Sequence, residues 1–164
     1  SRRAAGDRPP GSRDRMNEIV AELARAADAE SPREQRAHVA AQIIRDARGY
    51  RWVGIYDVGD EEIALIGYTG STPPRHERFG IENGLSGEAV RKRASVVSND
   101  VASDARYLEA FETTGSETIV PILGAESGIV IGTLDAESDR IGAFSDDDVA
   151  FLEECAAVLR PLYD

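Results

Sequence analysis

The sequence predicts an α+β domain in which helices at both ends of the chain pack against a central, mostly antiparallel sheet of five to six strands. Two segments near the amino terminus repeat apolar residues at helical spacing. The middle of the chain divides into short runs rich in Val and Ile, and a helix with a strong start signal closes the chain. Of the 164 residues, 41% are hydrophobic, which is enough to bury one core. We therefore expect a single domain over residues 16–164.

Three longer helices are predicted outside the sheet. Residues 16–29 place their apolar side chains on one helical face. A second helix begins at Ser31, where Ser31 and Glu34 have the spacing of a capping box, and ends at Gly49. Ser145 is expected to cap the last helix, which runs to Leu159 and carries three aspartates at its positive end.

Six short segments between these helices have the composition of strands. Acidic turn residues separate the first two strands, and residues 124–128 separate the last two, so each pair is predicted to form a hairpin. A short helix that contains Ser86 follows the third strand, and a partly helical crossover follows the fourth. The predicted strands are residues 51–58, 62–68, 79–81, 95–98, 118–123 and 129–134.

Composition and charge exclude several functional classes. A formal net charge of −11 argues against a nucleic-acid surface. No apolar run approaches the ~20 residues of a membrane helix, so no membrane partner is expected. No Walker loop or dinucleotide fingerprint is present, so no cofactor is predicted. Cys155 is the only cysteine, which excludes a disulfide framework and favours a cytoplasmic location. Its position on the apolar side of the last helix predicts a buried, unreactive thiol.

The first fifteen residues differ in character from the rest of the chain. They are rich in Arg, Gly and Pro, and they lack the apolar core of a secretory signal. We interpret residues 1–15 as a disordered arm or a remnant of cloning.

Two faces of the predicted sheet carry candidate binding residues, and the first is aromatic. Strand alternation places Trp52, Gly54 and Tyr56 on one face of the first strand. Two rings with a glycine between them would leave a gap that a ligand could enter. The alternative is an ordinary core face with one small residue, since most strand aromatics belong to a core.

The second candidate face is acidic. If Leu123 pairs with Ile129 across the last hairpin, Glu117 lies opposite Asp135. In any register in which odd-numbered residues pair with odd-numbered residues, Glu117, Asp135 and Glu137 share one face. Neighbouring carboxylates on a sheet repel each other unless a cation, a donor or open water stabilises them. This pattern predicts a site for an ammonium group. A solvated acidic rim and a metal ion are the alternatives, and the chain lacks an Asp-rich calcium loop, so no metal site is predicted.

Six short motifs occur in the order and spacing of a GAF domain, and the chain resembles that family over residues 16–162. The resemblance is strongest to the branch that contains the free methionine-(R)-sulfoxide reductases. The motifs are Trp52-Val-Gly-Ile-Tyr56, Gly84-Leu-Ser-Gly87, Asn99-Asp-Val101, Ser116-Glu-Thr-Ile-Val-Pro121, Gly132-Thr-Leu-Asp135 and Phe144-Ser-Asp-Asp-Asp148.

The resemblance implies a closed ligand pocket on the face of the sheet opposite the terminal helices. Aromatics matching Trp52 and Tyr56 would surround the sulfoxide end of the ligand. Acids matching Glu117, Asp135 and Glu137 would hold its amino-acid end. The last acid is a Glu where the better-known reductases carry Asp.

The catalytic part of the resemblance does not carry over. Positions that hold cysteines in the reductases are His76, Ser86 and Ala110 in this chain. Reduction of a sulfoxide by thiol attack needs a thiolate and a second thiol, so no catalytic residue is predicted. We interpret Ser86 as the N-cap of its helix, with a hydrogen bond to a ligand as the alternative.

Three hypotheses for function follow. The first is a cytoplasmic sensor domain in signal transduction that binds a small molecule, with methionine or its sulfoxide the most plausible ligand. It is expected to act as a homodimer or with a signalling partner protein. The second is a methionine-sulfoxide reductase of altered mechanism. The third is a ligand-free GAF domain that serves as a dimerisation scaffold.

Overall fold

A computed structural model describes residues 11–126 and 128–164, and within them the chain forms the α+β architecture expected from the sequence. Residues 1–10 of the predicted arm, and Ser127 in the last hairpin loop, lie outside the described residues. The elements are α1 (Ser12–Ala27), α2 (Arg33–Arg48), β1 (Trp52–Val58), β2 (Glu62–Thr69), β3 (Arg78–Gly80), α3 (Gly84–Lys92), β4 (Val96–Ser98), β5 (Ser116–Leu123), β6 (Val130–Ser138) and α4 (Asp146–Ala157). Short 3-10 helices at Val101–Ser103 and Arg160–Tyr163 complete the chain.

The six strands form one sheet in the order β3-β2-β1-β6-β5-β4, and every pairing is antiparallel. The two hairpins expected from the sequence, β1–β2 and β5–β6, are both present. The long crossovers bring β6 beside β1 at the centre of the sheet. Strands far apart in sequence are thereby adjacent, which places Trp52, Gly54 and Tyr56 opposite Glu137, Asp135 and Thr133.

The main core lies between the sheet and the terminal helices. Ile44 of α2 and Leu152 of α4 pack in one buried cluster with Ile55 of β1 and Leu134 of β6. Cys155 belongs to the same cluster and is fully buried, as its helical spacing predicts. The apolar residues on this face are the ones that helical and strand periodicity select.

The opposite face of the sheet carries a second layer. Trp52, Tyr56 and Ile63 form one buried cluster on it, and α3 packs Leu85 and Ala89 against Ile119 of β5. The candidate binding residues therefore lie on the face away from α1, α2 and α4.

The starts of α1 and α2 differ from the predictions. Helix α1 begins at Ser12, so residues 12–15 are helical and do not belong to a disordered arm. The capping box expected at Ser31 is wrong, because Pro32 occupies the N-cap of α2 and no side chain caps it. The cap at Ser145 is confirmed: its hydroxyl accepts from the Asp148 amide, and the Asp148 carboxylate accepts from the Ser145 amide. No helix among the described residues is long and apolar enough to cross a membrane.

Candidate functional site

A small cavity lies on the second face of the sheet, where α3 and two loops cover the strands. Tyr56 of β1, Phe79 of β3, Glu117 of β5 and Asp135 of β6 line it from the sheet. Its volume of about 30 Å³ holds roughly one water molecule, so a ligand the size of an amino acid must displace the covering segments. The remaining lining residues are His76, Leu108 and Ala110 from the loops and Gly84, Leu85 and Ser86 from α3.

The three predicted acidic residues come together beside this cavity. One carboxylate oxygen from each of Glu117, Asp135 and Glu137 lies within 4.8 Å of the other two. Glu117 and Glu137 are direct cross-strand partners, and Asp135 lies opposite Ile119. The predicted pairing of Glu117 with Asp135 is therefore wrong by two residues: Leu123 pairs with Val130 instead of Ile129, and a bulge between Ile122 and Leu123 adds one more residue. The shared face is unchanged, since two residues complete one strand period.

Burial makes ionisation of this acidic cluster costly. Glu137 is fully buried, and its burial raises its pKa from 4.5 to about 7, opposed by the Thr114 hydrogen bond and the charge of Arg51. Burial, followed by the charge of the neighbouring acids, raises the pKa of Glu117 and Asp135 well above their ordinary values. At neutral pH the cluster therefore keeps at least one proton unless a cation joins it.

Hydrogen-bonding capacity in the acidic cluster is only partly used. The Thr114 hydroxyl donates to Glu137 Oε1 at 3.0 Å. Among the described residues, Asp135 Oδ1 and Glu137 Oε2 are buried without a hydrogen-bond partner. Buried acceptors without partners are rare in folded proteins, and of these two acids Asp135 also lines the cavity, so a donor that enters the cavity would meet Asp135.

The aromatic residues surround the site differently from the prediction. Trp52 does not leave a gap beside Gly54: its indole covers the glycine, and a Cβ at position 54 would overlap the indole ring. Trp52 also stacks on Tyr68, with ring centroids 5.9 Å apart, and contacts Phe111. Tyr56 lines the cavity, 6.4 Å from Trp52 between ring centroids. Tyr56 and Phe79 are thus the aromatic residues of the cavity lining, and Trp52 packs beside Tyr56.

Tyr56 is also held from the other face of the sheet. The hydroxyl of Tyr163, near the carboxyl end of the chain, donates to the Tyr56 carbonyl at 2.7 Å. The Tyr163 ring lies over Gly132, where a Cβ would overlap the phenol. The glycine of the Gly132-Thr-Leu-Asp135 motif therefore has a structural role: it leaves space for this contact.

Ser86 is not the N-cap of its helix, contrary to the prediction. The N-cap is Asn83, and Ser86 is the third residue of α3. Its side chain is only 5% exposed and lines the cavity. His76 and Ala110 line the same cavity, so all three positions where the resemblance implies cysteine meet at one site. That convergence depends on three separate segments, and the sequence alone carries no signal for it.

Two loops are joined across the cavity by Arg75. Its amide donates to the Ala110 carbonyl at 3.2 Å, and its guanidinium pairs with Glu109 at 2.7 Å. This bridge links the segment that carries His76 to the segment that carries Leu108 and Ala110. The bridge therefore ties together two of the segments that line the cavity.

Sequence reasoning missed five residues of the site, and one of them is Leu85 of α3. Thr114 and Leu108 lie in the crossover, which has no periodicity to interpret, and Phe79 lies on a three-residue strand. Gly84 adopts φ +72°, and its place before the predicted helix was the one signal that could have identified it.

Comparison with known proteins identifies relatives of this chain. The model of the GAF domain family matches residues 32–160. GAF domain-containing protein A of Dictyostelium discoideum is 27% identical over 117 residues, which cover 71% of this chain and 72% of that protein. The structure of the type II free methionine-R-sulfoxide reductase from Thermoplasma acidophilum is 31% identical, with a TM-score of 0.73 over 85% of this chain and 94% of that one. The free methionine-R-sulfoxide reductase of Neisseria meningitidis, solved with its substrate, is 25% identical, with a TM-score of 0.80 over 98% of this chain and 95% of that one.

Proposed function

The chain belongs to the GAF domain family, and on that premise we propose that it is a sensor domain that binds a free amino acid, with methionine or methionine sulfoxide the expected ligand. The observation that carries this proposal is the cluster of Glu117, Asp135 and Glu137, buried beside a cavity with an aromatic wall. An ammonium group supplies the charge and the donors that the cluster lacks. The methionine side chain would then lie against Tyr56 and Phe79.

A divalent metal ion is the alternative occupant of the acidic cluster, since carboxylate oxygens are ligands that Mg²⁺ and Ca²⁺ prefer. The ammonium group is favoured because its cavity also has the apolar lining that an amino-acid side chain needs. Phe79, Leu85 and Leu108 provide that lining.

The test is thermal unfolding of the purified domain with L-methionine, both epimers of its sulfoxide, L-leucine, MgCl₂ or CaCl₂. A saturable rise in Tm with an amino acid supports the proposal, because a ligand that binds only the folded state stabilises it. Glu117→Gln should abolish the rise, and Glu61→Gln, at an exposed turn between β1 and β2, should retain it. A rise with the metal salts alone would refute the ammonium site, and no rise with any of these compounds would favour a ligand-free dimerisation scaffold.

A sensor also needs a response, and we expect it in the loops that cover the cavity. Ligand binding should protect residues 104–112 from amide exchange, because the Arg75 bridge must reform over the ligand. Arg75→Ala should raise exchange in the same residues without ligand. The ordered loops would then contact a second copy of the chain in a homodimer, or a signalling partner protein. Unchanged protection with saturating ligand would refute a sensory role for these loops.

The second candidate function is a methionine-sulfoxide reductase of altered mechanism, which the 31% identity to the Thermoplasma acidophilum enzyme favours. Thiol chemistry argues against it in this chain. Cys155 is the only cysteine, and it is buried in the core on the opposite face of the sheet from the cavity. Burial raises the pKa of its thiol to about 12, so it supplies no thiolate. Loss of free methionine-(R)-sulfoxide above the blank with dithiothreitol would refute the proposal that the domain has no redox activity.

A further inference from the structure

A groove of about 400 Å³ lies at one edge of the sheet, where β5 and α4 meet. Strand β4 has three residues and pairs only with residues 117–119 of β5. From Val120 to Leu123, β5 therefore has no strand beside it on that side within the described part of the chain. The groove shares no lining residue with the cavity beside α3. Its volume is within the range of roughly 300–1,000 Å³ that is usual for small-molecule sites.

The lining of this edge groove combines apolar side chains with arginines. Pro121, Leu123 and Ala157 are apolar and at least partly exposed to solvent. Arg93 and Arg160 line the same groove. Neither arginine takes part in an ion pair within the described residues. Two guanidinium groups therefore lie beside an apolar surface without a protein carboxylate to neutralise them.

Positive charge is in excess in the edge groove, although the whole chain is acidic. Glu153 is the one acid that lines it among the described residues, and its carboxylate accepts from the Ser95 hydroxyl at 3.0 Å. Arg160 Nε donates to the Leu123 carbonyl at 2.8 Å, which holds that guanidinium at the free edge of β5. Two guanidinium groups and one carboxylate leave one positive charge in excess, on a chain of formal net charge −11. A local excess of this kind attracts an anion.

The backbone at Arg93 has a conformation that arginine disfavours. Arg93 follows the last residue of α3 with φ 51° and ψ 37°. Among the described residues, no other residue except glycine has a positive φ. The same position after α2 is Gly49, as is usual at helix ends. An arginine in this conformation costs conformational free energy, and such positions cluster at functional sites. The cost places a guanidinium at the groove, where glycine would leave none.

A second copy of the chain that adds a strand to this edge is a poor fit. Strand addition uses the amide hydrogens and carbonyl oxygens along the free edge. Pro121 has no amide hydrogen to offer, and the Leu123 carbonyl already accepts from Arg160. The charge and the apolar lining therefore favour a small amphipathic anion as the occupant.

We propose that the edge groove binds an aliphatic carboxylate, with its head group at Arg93 and Arg160 and its chain along Pro121, Leu123 and Ala157. Guanidinium groups form paired, charge-assisted hydrogen bonds with carboxylate oxygens. A carboxylate carries a single charge, which equals the excess in the groove, whereas a phosphate monoester carries about 1.5–2 negative charges. This site is independent of the amino-acid site proposed above.

Isothermal titration tests the groove with three probes: sodium octanoate, octylammonium chloride and sodium acetate. Octylammonium has the same chain with the opposite charge, and acetate lacks the chain. We expect octanoate to bind and the other two to bind at least about tenfold more weakly.

The matched variants change one arginine each. Arg93→Asn should weaken octanoate binding about tenfold, because it removes charge-assisted hydrogen bonds. It should keep the fold, since asparagine tolerates left-handed backbone. Arg25→Asn, at an exposed position in the last turn of α1, makes the same change in net charge and should bind octanoate as the unchanged protein does.

Four results would overturn the proposal. The first is no binding of octanoate at millimolar concentration, and the second is equal affinity for octanoate and octylammonium. The third is equal affinity of Arg93→Asn and the unchanged protein for octanoate, or displacement of octanoate by L-methionine, since either would place the bound octanoate elsewhere. The fourth is a dimer in sedimentation that Arg93→Asn dissociates, which would assign the groove to a second copy of the chain.

Discussion

Replacing Glu137 with glutamine should make the stability of this domain less sensitive to pH and raise it above neutrality. Glu137 is fully buried and its pKa is raised from 4.5 to about 7. A group whose pKa is higher in the folded state stabilises the fold below its unfolded pKa, and this contribution is lost as the pH rises through the folded pKa. The window for Glu137 therefore runs from about pH 4.5 to about pH 7. Glutamine cannot ionise, so the variant should lack the share of the stability loss that Glu137 contributes in that window.

The magnitude follows from the size of the pKa change. At about 1.4 kcal/mol per pH unit, a rise from 4.5 to about 7 corresponds to about 3 kcal/mol. The glutamine carbonyl can still accept from the Thr114 hydroxyl, and its amide can donate to the neighbouring carboxylates. The free energy of unfolding of Glu137→Gln should thus match that of the unchanged protein near pH 5 and exceed it by about 3 kcal/mol near pH 8.

Urea denaturation across this pH range measures the difference directly. The value near pH 5 serves as the reference, because it contains any effect of the substitution that does not depend on pH. Glu61→Gln, at an exposed position, controls for the loss of one negative charge from an acidic protein. Parallel stability curves for Glu137→Gln and the unchanged protein would refute the reasoning, since they would show that Glu137 ionises in the folded state at no cost.

Three further predictions test the site and its support. The affinity for L-methionine should rise as the pH passes through about 7, because the buried Glu137 must lose its proton to hold an ammonium group. Titration with L-methionine at several pH values measures this affinity. An affinity that falls as the pH rises would indicate instead that a ligand oxygen accepts a hydrogen bond from a protonated acid. Gly132→Ala should reduce the free energy of unfolding by about 1–3 kcal/mol, because its Cβ would displace Tyr163 and break its bond to Tyr56. Tyr163→Phe loses only that hydrogen bond and should lower the free energy of unfolding by about 1 kcal/mol. Equal stability of the two variants would contradict the expected overlap between a Cβ at position 132 and the Tyr163 ring. Cys155 should react with a thiol reagent only on unfolding, because burial raises its pKa to about 12, and rapid labelling of the native protein would contradict its place in the core.

The arrangement of the acidic residues could be predicted from the sequence because strand geometry is periodic. Glu117, Asp135 and Glu137 share one face in any register that pairs odd-numbered residues with odd-numbered residues. The observed register differs from the predicted one by two residues, so the face is unchanged. Strand ends were less predictable. Strand β6 continues to Ser138, four residues beyond the predicted end, because residues 135–137 pair with β1 on one side and residues 135–138 pair with β5 on the other.

The role of single polar residues could not be predicted in the same way. Ser31 and Ser86 both precede helical patterns, and both were predicted as caps, yet only Ser145 forms one. A cap requires non-helical backbone at the serine itself. Pro32 shifts the start of α2 by one residue, and Gly84 starts α3 two residues before Ser86. Local sequence patterns therefore identify a helix but do not identify its N-cap residue.

The cavity itself arises from chain crossings that no local pattern encodes. Ser86 is on a helix, His76 on a loop and Ala110 on a crossover, and the fold brings all three to one cavity on the sheet. The resemblance named these three positions separately, and the fold shows that they form one surface. At this surface His76 contributes an imidazole, Ser86 a hydroxyl and Ala110 a methyl group to the cavity lining. Thiol attack on a sulfoxide requires cysteines, and none of these three positions provides one, so the proposed role of the cavity rests on the buried acids beside it.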